Sequence, residues 1–96
     1  LVYLGDKQAY FEYDLNVLEK TKYVSLRRVA DYASSGYGVI IRLSDEFLDQ
    51  ENGVQLQTIE LDQAKSAIKV LTSFGVDEQR ISARMNGRDQ IIIRIQ

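Results

Sequence analysis

The stretch that decides the fold is residues 38–81, GVIIRLSDEFLDQENGVQLQTIELDQAKSAIKVLTSFGVDEQRI. It begins with an apolar, β-branched run over residues 38–43, which predicts a central strand covered at least partly on both faces. A polar, acidic segment over residues 44–55 follows, and we expect it to be a surface loop. Helical spacing of apolar residues then continues to Gly75. The stretch therefore predicts a strand, a loop and a helix in that order.

The helix is the best defined one in the sequence. Its apolar stripe recurs at i, i+3, i+7 and i+10, and consists of Leu61, Ala64, Ile68 and Leu71. Ala67, Val70 and Phe74 widen this stripe. Gly75 follows in the position of a left-handed C-terminal cap. We expect the stripe to face a sheet that contains Val39, Ile41 and Ile93, because these residues offer the apolar surface that a helix stripe must cover.

The residues before this stretch predict a small hairpin and an earlier strand. Residues 2–4 are β-prone and precede a turn signal. In residues 8–14, Phe11 and Tyr13 share one face of an alternating pattern, which is typical of a strand. Residues 14–23 are polar and mixed, which indicates a loop or a short turn of helix.

An amphipathic helix is predicted between these two strands. Its apolar residues fall at i, i+3, i+4 and i+7, and are Leu26, Val29, Ala30 and Ala33. Ser25 is a candidate N-cap, and residues 34–36, which read Ser-Ser-Gly, end the helix.

A hairpin is predicted at the end of the sequence. Residues 81–85 form one strand, Asn86-Gly87 is a strong turn signal, and residues 90–96 form the second strand. The order of elements is thus β-α-β-α-β-β. This order predicts an α+β two-layer sandwich, in which two helices pack on one face of a mixed β-sheet.

Composition excludes several classes of function. A chain of 96 residues can fold as one domain without metal ions or disulfides, and it has neither cysteine nor histidine. Cysteine-based zinc sites, thiol nucleophiles and Ser-His-Asp triads are therefore excluded. The net charge of −2, with both signs mixed along the chain, argues against a nucleic-acid surface. No cofactor is expected.

The sequence resembles the OmpA-like domain, a periplasmic module that holds proteins to the bacterial cell wall. The matching features are a first strand with Phe11 and Asp14, a second strand that ends in Ser44-Asp45, Ala64 in the second helix, Gly75-Val76-Asp77, and Arg80-Ile81. The resemblance covers nearly the whole chain and implies the same β-α-β-α-β-β fold. It also implies that the 96 residues are one domain of a larger envelope protein, with any membrane anchor outside this piece.

The resemblance implies a ligand site as well. In the family, an Asp receives the ammonium group of the diamino acid in the peptidoglycan stem peptide, and an Arg binds its carboxylate. The Asp corresponds to Asp45, but the Arg position falls on the uncharged Gln63, and Lys65 is the nearby alternative cation. Losing a charge-assisted contact costs about 1.5–3 kcal/mol. We therefore expect weakened or lost binding to peptidoglycan.

Three functions follow from these features. The first is a non-enzymatic periplasmic domain that anchors or positions an envelope assembly, of flagellar motor or secretion type, near the peptidoglycan. The second is a pure protein–protein interaction module, for which Phe47, Leu48 and Asp49 in the acidic loop are the expected partner contacts. The third is an enzyme or divalent-cation site that uses Asp45, Glu46 and Asp49, although the full spacing of a calcium loop is missing.

Overall fold

The computed structural model describes residues 1–44, 61–87 and 89–96. The predicted α+β class and mixed sheet are confirmed: within these residues the chain forms five strands and three helices. The strands are β1 (Tyr3–Gly5), β2 (Gln8–Asp14), β3 (Gly38–Ser44), β4 (Ile81–Met85) and β5 (Gln90–Ile95). The helices are α1 (Leu15–Lys20), α2 (Leu26–Ser34) and α3 (Leu61–Ser73), and a 3-10 turn at Glu78–Arg80 precedes β4.

The five strands form one sheet in the order β1-β2-β3-β5-β4. The two central strands β2 and β3 are parallel, and all other neighbours are antiparallel. One row of partners across the sheet runs Phe11, Ile41, Ile93 and Ala83. Because residues directly opposite each other point to the same side, this row shows which face of β2, β3, β5 and β4 looks into the core.

The core lies between this face and the helices. Its sheet residues are Ala9, Phe11, Val39, Ile41, Leu43, Ile91, Ile93 and Ile95, all at most 2% exposed. They share one apolar cluster with buried side chains from α1, α2 and α3. The next residues along β3 and β5, such as Ile40 and Ile92, are only half-buried. Among the described residues, the helices cover one face of the sheet, and we call the other face the open face.

Residues 14–23, predicted to be a loop or a short helical turn, contain the complete helix α1. Asp14 caps it, since its Oδ1 atom accepts from the backbone N–H groups of Asn16 at 2.8 Å and Val17 at 3.3 Å. Leu15 and Leu18 are buried in the core. The described order is thus β-β-α-α-β-α-β-β. The predicted leading hairpin is confirmed, since β1 pairs with β2, but the prediction of two helices was one too few.

Helix α2 has the predicted buried face, since Leu26, Val29, Ala30 and Ala33 are at most 2% exposed. The prediction that Ser25 caps it was wrong, because the Ser25 side chain makes no capping hydrogen bond. Backbone carbonyl groups of the preceding turn accept from the first N–H groups of α2 instead. A turn that contains two residues with positive φ, Lys22 and Tyr23, lets the N–H of Leu26 donate to the carbonyl of Tyr23 at 3.0 Å.

Helix α3 buries only part of the predicted stripe, together with Ala67 from its widened edge. Ala64, Ala67 and Leu71 are at most 2% exposed, whereas Leu61 is 46% exposed and Ile68 is only half-buried. The cap at Gly75 is confirmed: its φ is +100°, and the N–H of the next residue donates to the carbonyl of Leu71 at 3.2 Å. The predicted terminal hairpin is also confirmed as β4 and β5.

Candidate functional site

The parallel strands β2 and β3 end side by side. Asp14, the last residue of β2, is the register partner of Ser44, the last residue of β3, and Gln90 is the partner of Ser44 on β5. Ser44 is buried, at 5% exposure. A carboxylate, a hydroxyl and an amide therefore occupy one row at the end of the sheet, two residues beyond the row of Glu12, Arg42 and Ile92. We call this row the strand-end site.

The first turn of α3 lies toward the same end of the sheet. The chain leaves α3 and enters β4 at Ile81, which pairs with Ile95, and Ile95 pairs with Val39 near the start of β3. The last turn of α3 is therefore near the opposite end, and the helix must begin near the strand-end site. A side-chain hydrogen bond between Tyr23, which follows α1, and Ser66 of α3 agrees with this placement.

Asp14 is the notable charge in the site. Its Oδ1 atom caps α1, but its Oδ2 atom is buried and has no hydrogen-bond partner among the described residues. A buried carboxylate oxygen without a donor is costly, so such atoms in native proteins call for an explanation. An ammonium group or an N–H from a bound molecule would satisfy it.

Gln63 occupies the first turns of α3, is half-buried, and has a polar partner of its own. Its amide can donate to a carboxylate but brings no charge. Lys65 is exposed, and its Nζ atom lies 3.0 Å from Oδ1 of Asp62. An ion pair between two such exposed side chains is weak, so Lys65 is not fixed in place. These two predicted site residues therefore differ in burial and in partner.

The other predicted site residues lie outside the described residues. These are Asp45, which directly follows Ser44, and the expected partner contacts Phe47, Leu48 and Asp49, together with Glu46 of the enzymatic alternative. Asp45 is tied to the strand-end site by sequence alone. The structure therefore gives no distance between Asp45 and Gln63.

Sequence reasoning did not include Asp14 in the site. It treated this residue as part of the first strand of the family pattern. A signal was present, because Asp is a preferred N-cap residue and the apolar Leu15 and Leu18 follow it at i+1 and i+4. The buried, unpartnered oxygen could not be foreseen, since it depends on packing around the strand end.

Burial changes the acidity of two tyrosines near this end of the sheet. Tyr13, the partner of Leu43, is half-buried, and this burial raises its pKa above the ordinary 10.0, against a smaller lowering effect of Arg28. Burial also raises the pKa of Tyr23, helped by the charge of Glu19 and opposed by its hydrogen bond with Ser66. Both phenols therefore stay neutral and can act only as hydrogen-bonding groups near neutral pH.

Comparisons with known proteins give no relative: no family model, no curated protein and no solved structure matches the chain. None of the helices described here is long and apolar enough to cross a membrane. Within residues 1–44, 61–87 and 89–96, no three acidic side chains come together as a metal site would require. The function must therefore be argued from the fold and the strand-end site.

Proposed function

We propose that this chain is a divergent OmpA-like periplasmic domain that positions a cell-envelope assembly near the peptidoglycan, with weakened binding to the wall. The order of elements supports this proposal. When β1 and α1 are set aside, the described elements follow the order β-α-β-α-β-β, with β2 and β3 parallel at the centre of the sheet. The motif residues Gly75 and Arg80 also have clear structural roles in the connection from α3 to β4.

The observation that carries the proposal is the strand-end site. Asp14 and Ser44 end neighbouring parallel strands, and α3 begins toward the same end of the sheet. A zwitterion needs opposite charges held a few ångströms apart. An acidic group at a strand end would suit an ammonium, and Gln63 would offer a carboxylate an amide rather than a charge.

The uncharged Gln63 also favours a second candidate, a protein–protein interaction module that does not bind peptidoglycan. An amide donates a neutral hydrogen bond, which is roughly half as strong as the charge-assisted bond of an arginine. The two candidates therefore share the fold and differ in one measurable property, the affinity for the wall.

Sedimentation with insoluble peptidoglycan tests both candidates. The unmodified domain should sediment poorly. Gln63→Arg should raise the affinity for peptidoglycan by about one to two orders of magnitude, which is measured as a larger bound fraction. Gln79→Arg is the matched control, because Gln79 is an exposed residue of the 3-10 turn and the net charge changes equally. The gain at Gln63 should vanish in the double variant with Asp45→Asn.

Three results would decide between the candidates. A gain with Gln63→Arg that depends on Asp45 supports a retained wall pocket. Equal sedimentation of the Gln63→Arg and Gln79→Arg variants means that only net charge matters, which contradicts a pocket and favours the interaction module. Strong binding by the unmodified domain shows that another residue supplies the positive charge, and Lys65→Gln then tests the nearest candidate.

A further inference from the structure

The open face of the sheet carries an ordered pattern of apolar and cationic side chains. We define the open sheet face by Tyr10, Ile40, Arg42, Arg84, Ile92 and Arg94. Tyr10 is the partner of Ile40, and Ile40 is the partner of Arg94. In the next row, Ile92 lies between Arg42 and Arg84. These residues alternate with the buried ones, so they point away from the helices.

An apolar strip crosses the centre of this face. Tyr10 and Ile40 are directly opposite each other, and Ile92 is a diagonal neighbour of Ile40, at a distance of about 7–8 Å between such positions. All three are half-buried within the chain itself. An open groove of about 350 Å³ adjoins the strip and is lined in part by Ile40 and Arg94. A side chain from a partner would find apolar surface here.

The charge on this face is opposite to that of the chain. Glu12, its acidic residue, is already engaged, since it accepts from the Tyr10 hydroxyl at 2.9 Å and lies 3.6 Å from Nε of Arg42. Arg84 and Arg94 are exposed, and neither forms an ion pair within the described part of the chain. The whole chain nevertheless has a net charge of −2.

The two arginines are also close to each other. Arg84 is directly opposite Ile92, and Arg94 is two residues further along the same strand as Ile92, so the two cations occupy diagonal positions. Like charges at this spacing repel each other. Carboxylates on a bound partner would remove this repulsion, and each arginine can bind a carboxylate through two parallel hydrogen bonds.

We propose that the open sheet face binds an acidic segment of a partner protein, which places apolar side chains on Ile40 and Ile92 and carboxylates on Arg84 and Arg94. This surface adjoins the row of Asp14, Ser44 and Gln90, but the proposal does not depend on wall binding. A segment of this kind is an amphipathic helix with a leucine stripe between glutamates, since a helix laid across the open face would complete a third layer on the sheet.

A synthetic peptide of this design provides the probe. It is an amphipathic helix of about five turns with a leucine stripe flanked by glutamates, and its control has lysines in place of the glutamates. Titrated into the domain and followed by amide chemical shifts, the acidic peptide should shift the signals of Ile40, Ile92 and Arg94. The lysine peptide should leave them unchanged. Binding should weaken as salt is raised from about 50 to 300 mM.

Charge reversal tests the arginines. The double variant Arg84→Glu with Arg94→Glu should weaken binding of the acidic peptide at least tenfold and should bind the lysine peptide instead. The matched control is Lys20→Glu with Lys69→Glu, two exposed cations on helices, which gives the same net charge and should bind like the unmodified domain. Circular dichroism and the melting temperature verify that each variant is folded.

Other outcomes would overturn the proposal. Equal loss of binding in both double variants would show an effect of net charge alone. Shifts confined to residues outside the open sheet face would place the peptide elsewhere. Tighter binding to phosphatidylglycerol vesicles or to an oligonucleotide than to the acidic peptide, with the same dependence on Arg84 and Arg94, would assign the face to those ligands. Concentration-dependent self-association through this face would make its occupant a second copy of the chain.

Discussion

Arg80 donates a hydrogen bond from Nη2 to the backbone carbonyl of Ala33, at 3.2 Å and across 47 residues of sequence. Ala33 lies in the last turn of α2, and its carbonyl also accepts from the N–H of Gly36 at 3.3 Å. The Nε atom of Arg80 also donates to the carbonyl of Gln96, and the N–H of Gln96 donates back to the carbonyl of Arg80 at 3.0 Å. One side chain thus ties the end of α2 to both strands of the terminal hairpin.

Replacing Arg80 should lower the free energy of unfolding. Arg80→Met keeps the apolar stem but removes the guanidinium, and hydrogen bonds to charged groups contribute about 1.5–3 kcal/mol each when buried. Arg80 is half-buried, so we expect a total loss of about 1–3 kcal/mol by urea denaturation. Arg84→Met on the next strand is the control, and a similar loss there would contradict the role of Arg80.

The buried stripe of α3 gives a second prediction. Leu71 is 0% exposed and Leu61 is 46% exposed on the same helix. Leu71→Ala should therefore cost about 2–5 kcal/mol of stability, whereas Leu61→Ala should cost less than about 1 kcal/mol. Both variants introduce alanine, which is a good helix former, so a difference in stability between them reflects burial rather than helix propensity. Equal shifts of the two denaturation midpoints would show that α3 packs through the face first expected from the sequence.

The strands and α2 could be predicted because their apolar residues repeat without ambiguity. Ile91, Ile93 and Ile95 alternate strictly, and all are buried. In α3 the predicted stripe with its widened edge was broad, and the sequence did not show which part of it is buried. Ala64, Ala67 and Leu71 are buried, whereas Leu61 is exposed. Small residues such as Ala67 are buried here, and side-chain size along one sequence does not reveal such close packing.

Local chemistry was less predictable than periodicity. Ser25 has the preferred side chain for a cap, but the backbone of the preceding turn already satisfies the N–H groups at the start of α2. Helix α1 has only six residues, too few to show a period, and depends on the cap from Asp14. Of the candidate site, the resemblance supplied Asp45, Gln63 and Lys65, while the buried oxygen of Asp14 depends on tertiary packing that no local pattern encodes.

The cap on α1 leads to a third prediction. Asp14→Ala removes the acceptor for the N–H groups of Asn16 and Val17 and should cost about 0.5–2 kcal/mol of stability. Asp14→Asn keeps an acceptor, and Asn is about as good an N-cap as Asp, so this variant should lose clearly less stability than Asp14→Ala. The rates of hydrogen exchange at the amides of Asn16 and Val17 measure the loss of the cap locally. Unchanged exchange in Asp14→Ala would show that α1 does not depend on this cap.

The tyrosines give a prediction on alkaline stability. Burial raises the pKa of Tyr13 and of Tyr23 above the ordinary 10.0. Between the unfolded and the folded pKa, the unfolded chain binds fewer protons than the folded one, so the free energy of unfolding must fall as the pH rises. Below the unfolded pKa, near pH 10, both states are protonated and these two groups cause no change.

Chemical denaturation at a series of pH values from about 8 to 12 should therefore show stability that declines above about pH 10. The double variant Tyr13→Phe with Tyr23→Phe should show a shallower decline, although it loses some stability at all pH values because Tyr13 no longer donates to the carbonyl of Ser25 at 3.3 Å. Tyr3→Phe, at a position that is 62% exposed, is the control and should keep the slope of the unmodified domain. If the double variant declines as steeply as the control, lysine deprotonation rather than the buried phenols governs alkaline unfolding.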